Sequence, residues 1–345
     1  MIVKEAISLA SVTIFGGAVC DFLLNLWKKS MNTNSSLINW DFVLVMQPML
    51  LMGAAFGASI ISWFSAGLFS IALIVYLVYI SLKTLKKAQI VGYEEGWRCF
   101  RNQNSETISL LGTSSRNFES NDVSFQCKGG LPWRKLGINL GLLTATVFLT
   151  SLQGGKHFRS PLGIPQTSFF SFIVSMLPFI FLSVVSHYQM KGAVATYQRQ
   201  QIPGFILLPN EVQWSPDSIK RLPLHLLGIG AISGAFGVSS EEATSVLLRQ
   251  VNFAPVVVSA MSATTVFFVS GMASFDFFLW GKLNLDLAKF LVPLGFLMTF
   301  LGRICLMKIA CNAKSRTLLL FALTASMFIS IVTFAFVELR SVFIF

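Results

Sequence analysis

Hydrophobic residues along the chain gather into long runs separated by short polar stretches. Runs near 6–27, 42–63, 66–82, 136–152, 168–188, 224–239, 257–280, 287–306 and 316–337 are candidate spanning helices. A spanning helix needs roughly 20 apolar residues, because in hydrocarbon every backbone N–H and C=O must be satisfied inside the segment. Eight of these runs come near that length. The ninth, 224–239, is short and holds four glycines, and 240–256 is mixed in character. The pattern predicts an all-α, polytopic membrane bundle of about 8–9 spans, with 224–256 as a broken helix or re-entrant segment. The apolar stretch from Ile7 to Cys20 is read as a retained first helix. One Lys and one Glu precede it rather than a basic region, and it runs into Asp21 without a small-x-small cleavage pattern.

Composition agrees. Charged residues make up 12% of the 345 residues and mean hydropathy is +0.69. A soluble domain carries about 25% charged residues. The net charge of +11 raises nucleic acid as a partner, but the basic residues sit between apolar runs, so membrane topology explains them better. The polar loop 83–135 holds nine Lys or Arg with interspersed acids, and 189–223 adds Lys191, Arg199, Lys220 and Arg221. With six crossings before residue 240, both loops share a side with Lys28 and Lys29, and that side is cytoplasmic by the positive-inside rule. Each loop reads first as a solvated connector. Five cysteines without CxxC spacing argue against a disulfide framework and a zinc site. Three scattered histidines offer no metal cluster, and no cofactor motif is present.

The chain also matches itself. Gly16-Gly-Ala18-Val-Cys-Asp21-Phe22 corresponds to Gly271-Met-Ala273-Ser-Phe-Asp276-Phe277, both G-x-A-x-x-D-F. Asp41, Pro48 and Gly57 correspond to Asp286, Pro293 and Gly302, both D-x6-P-x8-G. The repeat unit is a helix with an intramembrane Asp, a short loop, a Pro-bearing helix and a further helix. Transporters are often duplicated in this way, with the substrate between the halves. The organisation expected is a first repeat over 1–88, a polar loop over 89–135, two linking spans in 136–188, a polar loop over 189–223 and a second repeat over 224–338. The second repeat is preceded by the Gly-rich segment 224–255. The first copy of that element is expected to be missing, from the protein or from the gene model.

Candidate chemistry is sparse. Gly228, Gly230, Gly234 and Gly237, followed by Ser239 and Ser240, thin a helix and offer backbone N–H groups and hydroxyls to an anion. The bland alternative is close packing through small residues. Ser262, Thr264 and Thr265 place hydroxyls at the start of a span, for a ligand or simply for capping and interhelical bonds. Gly16 and Gly17 complete the expected site from the first repeat. Asp21 and Asp276 are either ion-coupling groups or structural charges, and both are expected near the side of the basic loops. Arg303 either draws an anion into the bundle or pairs with one of these acids. No Ser/His/Asp arrangement, nucleotide loop or metal motif supports an enzyme.

Three stretches carry a resemblance: INWDFVLVMQPMLLMGAAFGASI (38–60), GIGAISGAFGVSSEEATSVLLRQVNFAPVVVSAMSATTVFF (228–268) and the helix from Pro293 to Arg303. They resemble the sulfite exporter TauE/SafE family of anion permeases, in its plant- and protist-like branch. The resemblance covers roughly 1–88 and 224–338, with the middle alike in layout only. It implies a permease for a small, sulfur-containing anion such as sulfite or a sulfonate, by secondary transport or facilitated diffusion. The family's Gly-rich signature would fall on Gly234, Gly237 and the residues just after. This chain has Val238-Ser239-Ser240 and Ser245 where the family has glycines and then a proline. The alternative is therefore a degenerate, non-transporting homologue serving as a structural membrane subunit or scaffold. The partners implied are the lipid bilayer and a small anion, with a homo-oligomer or larger membrane complex left open.

Overall fold

In a computed structural model, residues 2–27, 38–63, 66–94, 133–154, 169–200, 216–251, 253, 255–309 and 313–343 are described. They form ten α-helices: α1 (Ile2–Trp27), α2 (Trp40–Trp63), α3 (Ala66–Glu94), α4 (Trp133–Gln153), α5 (Phe169–Gln200), α6 (Pro216–Phe236), α7 (Glu241–Gln250), α8 (Pro255–Leu279), α9 (Leu285–Ile309) and α10 (Ala313–Phe343). Seven contain windows long and apolar enough to span a bilayer. Two shorter apolar stretches, Arg221–Phe236 and Phe321–Phe336, lie in α6 and α10. The protein is thus an integral, multi-pass membrane protein.

Each predicted run corresponds to a helix, but helices reach into both expected polar loops, with α6 starting at Pro216 inside 189–223. α3 continues to Glu94, where a polar loop is expected from residue 83, and α5 continues to Gln200, where one is expected from residue 189. Hydropathy marks only the stretch that lipid or core must cover. A helix continues through Lys83 and Lys86 because long straight side chains favour it. The remainder of the loop expectations, 95–132 and 201–215, lies outside the described residues.

The chain divides into two compact units. The first comprises Met1–Trp63 and Ser124–Phe300, and the second Phe64–Val123 and Leu301–Phe345. The division cuts across the repeats, because α3 and α10, the last helix of each repeat, fall in the second unit. In the second unit, α3 packs along α10.

The first unit is built on α2, α6 and α8. Gly53 and Gly57 of α2 meet Gly230 and Gly234 of α6 so closely that added methyl groups would overlap backbone. Gly57 faces the Ala231 carbonyl, Gly53 that of Leu227, Gly230 that of Leu50 and Gly234 that of Ala54. These pairings advance together along both helices, so α2 and α6 run parallel. Small residues replace side-chain interdigitation here, letting Cα–H groups approach carbonyl oxygens. Around this seam Phe42, Met46, Leu50, Leu226, Met261 and Phe268 are fully buried. Gln47 ties α4 to α2 by donating from Nε2 to the Asn139 carbonyl at 2.9 Å.

α1 packs on α8 in the opposite sense. Ser8 Oγ donates to the Lys282 carbonyl at 2.9 Å, Gly271 faces the Phe15 ring, and Phe22 stacks on Phe267 at 4.5 Å. The pairing therefore runs antiparallel. The two copies of G-x-A-x-x-D-F are inverted relative to each other, as in inverted-repeat transporters. This corrects the expectation that Asp21 and Asp276 share a side, because an antiparallel pair carries them to opposite ends. The physical reason lies in 216–250. The apolar part of α6 covers only Arg221–Phe236. At 1.5 Å per residue it rises about 24 Å, short of a hydrocarbon core of about 30 Å. The chain then turns at Gly237 and starts back through α7. The segment is a re-entrant pair rather than a sixth crossing.

Candidate anion cavity

The turn between α6 and α7 is specified locally. Gly237 takes φ +61°, a conformation that costs an L-residue roughly 1–2 kcal/mol. A methyl group there would also lie 2.7 Å from the Ile7 carbonyl oxygen. Gly237 N–H donates to the Ser233 carbonyl at 3.0 Å, and Ser233 Oγ donates to the Val238 carbonyl at 2.7 Å. Ser239 Oγ accepts from Glu241 N–H at 3.3 Å. Glu241 and Glu242 occupy the first turn of α7, where the helix dipole favours acids. Ser240 is 2% exposed, and its hydroxyl has no partner among the described residues.

This turn faces a cavity of about 340 Å³ inside the first unit. α1 contributes Thr13, Ile14, Gly17, Ala18 and Asp21 to its wall. The turn contributes Ser239 and Glu241, α8 contributes Ala263 and Val266, and α9 contributes Gly295, Met298 and Thr299. The cavity exists because α1 and α9 cross without side chains between them. Gly16 abuts the Val292 carbonyl, and Gly295 abuts that of Thr13. Next to that contact, a methyl group on Gly17 would lie 2.6 Å from Thr299 Oγ1. Thr13 Oγ1 donates to the Leu9 carbonyl at 2.8 Å, so its oxygen presents only lone pairs. Ser239 Oγ accepts from backbone and so keeps its proton for a ligand. Two carboxyl groups, Asp21 and Glu241, share the wall with these hydroxyls, each engaged in an interaction within the protein. Among the described residues no Lys, Arg or His lines it.

Of the residues expected at a site, Gly17, Asp21 and Ser239 meet in this cavity. Gly16 and Gly234 are taken up by helix packing, against Val292 and Ala54. Gly237 shapes the turn. Ser262, Thr264 and Thr265 are buried, and their hydroxyls donate to the carbonyls of Ser259, Ala260 and Ser262. The two residues they flank or adjoin on α8, Ala263 and Val266, are the ones that reach the cavity. Asp276 is 3% exposed and lies outside the cavity wall, with Oδ2 unpartnered among the described residues. Arg303 falls in the second unit, half-buried and with an interaction of its own. Sequence reasoning missed Thr13, Glu241, Gly295, Met298 and Thr299. The match around Pro293 was a signal that α9 mattered, but nothing local indicates which turn of α9 meets α1.

The chain is 23% identical to sulfite exporter TauE/SafE family protein 1 of Arabidopsis thaliana, in an alignment covering 95% of this chain and 74% of the relative. Family protein 5 of the same plant is 21% identical over 340 residues, covering 95% and 73%. Family protein 3 is 23% identical, covering 96% and 69%. The similarity thus extends through the middle of the chain, where the sequence alone showed a likeness in layout only. No family model and no solved structure matches the chain.

Proposed function

We propose that this chain, a relative of the TauE/SafE sulfite exporters over 95% of its length, is a permease for a small sulfur-containing anion such as sulfite or a sulfonate. The observation that carries the reading is the cavity where the re-entrant turn meets α1 and α9. A break in the helix brings the Ser239 hydroxyl to the wall, and glycines where α1 meets α9 keep side chains out of the space. Neutral donors suit a permease. They replace part of an anion's hydration without binding it as tightly as a paired guanidinium would. The shared names of the relatives support the same substrate class. An anion entering beside Asp21 and Glu241 meets two carboxyl groups. The cavity therefore accepts it with those groups held by their own contacts within the protein.

The test is initial-rate uptake of radiolabelled sulfite by proteoliposomes containing the purified chain. Saturable uptake that unlabelled methanesulfonate or sulfite competes away, and unlabelled chloride does not, is the expected result. Uptake no faster than through empty liposomes would overturn the reading and leave a structural membrane subunit as the better one.

A further inference from the structure

The cavity wall on α1 is a stripe with four-residue spacing, Thr13, Gly17 and Asp21, which places all three on one helix face. The next position on that face is Asn25, one turn beyond the cavity. Asn25 is 3% exposed, and its amide nitrogen has no hydrogen-bond partner among the described residues. A buried donor left unpaired costs about 1–3 kcal/mol, whereas an apolar side chain of similar size costs nothing of the kind. A donor retained under those terms asks for an acceptor that comes and goes.

The surroundings narrow what that acceptor is. The antiparallel contacts of Ser8 with Lys282, Phe15 with Gly271 and Phe22 with Phe267 bring Asn25 level with the start of α8, near Met261 to Thr264. Ser262, Thr264 and Thr265 in that stretch donate their hydroxyl protons to their own helix. Ala260 and Ala263 are small. At this level the Asn25 amide is therefore the donor that α1 and α8 leave unused.

We propose that Asn25 forms a second station for the transported oxyanion, donating from Nδ2 after the anion leaves the cavity past Asp21. This rests on the permease reading above. It adds a binding residue on the face of α1 that lines the cavity. An amide carries no formal charge, so the station holds an oxyanion weakly enough to release it.

The test compares sulfite uptake kinetics of the full chain with those of Asn25→Leu and Asn25→Ser. Leucine fills the space without a donor, and serine keeps a hydroxyl donor. The expected result is a KM raised about tenfold by Asn25→Leu and less than about threefold by Asn25→Ser, with the melting temperature of Asn25→Leu unchanged or higher. A wild-type KM in Asn25→Leu overturns the station, as it would if the amide held only a water molecule. If Asn25→Leu fails to fold, Asn25→Val takes its place under the same criterion. If wild-type protein takes up no sulfite, the permease reading falls. The station is then judged by whether sulfite raises the melting temperature of wild type but not of Asn25→Leu in detergent. Equal shifts, or none in either, overturn it.

Discussion

Replacing Gly57 with leucine is expected to abolish accumulation of folded protein, while the same change at Gly302 leaves it near wild type. The two glycines occupy corresponding places in the repeat, which makes the contrast informative. Even a methyl group on Gly57 would overlap the Ala231 carbonyl, and the obstruction is backbone, which cannot rotate away. The seam is reciprocal, so α2 and α6 would have to separate at Gly53, Gly230 and Gly234 as well. Overpacking a tight core costs about 1–3 kcal/mol where side chains can adjust, and a backbone clash lies at or above that range. Nothing described lies within 4 Å of the corresponding position on Gly302. Fluorescence-detected gel filtration of the two variants gives the comparison directly. A monodisperse, wild-type-like peak from Gly57→Leu would mean that α2 and α6 do not pack as described.

Gly17→Ala is the second large effect expected, this time on transport. The added methyl would sit 2.6 Å from Thr299 Oγ1, so Thr299 must turn and one hydroxyl of the cavity is reoriented. A drop of about tenfold in kcat/KM for sulfite uptake is expected, equal to about 1.4 kcal/mol. Stability should fall by about 1 kcal/mol, within the range of overpacking. Thr299→Ala removes the clash. The double variant should therefore melt close to Thr299→Ala alone, a non-additivity expected only of residues in contact. Its transport should stay low, because the hydroxyl is gone. Additive melting losses would show that Gly17 and Thr299 do not face each other.

These two results bear on what the sequence could disclose. Helices were legible because apolar runs of spanning length leave the backbone little alternative in lipid. The repeat was legible in Gly16–Phe22 and Gly271–Phe277. Its inversion was not, because it depends on whether 224–256 crosses the bilayer. That in turn depends on Gly237 taking a left-handed turn after an apolar stretch too short to reach the far side. The glycines of α6 illustrate a second limit. Gly234 and Gly237 lie three residues apart in one motif, yet one is consumed by packing on Ala54 and the other makes the turn at the cavity. A motif supplies small residues, and the partner helix decides their use. The α9 wall was the least legible part. Gly295, Met298 and Thr299 acquire meaning only from a contact with α1, far away in sequence.

The central claim is that the anion passes through the cavity between α1, α8, α9 and the re-entrant turn. Met298 lines that cavity and is 61% exposed, so a larger side chain can occupy the space without disturbing the buried core. The most direct test is sulfite uptake into proteoliposomes by wild type and Met298→Trp, at matched protein incorporation and matched melting temperature. The account predicts saturable uptake by wild type and a loss of about tenfold or more in Met298→Trp. Equal uptake by both proteins would contradict it.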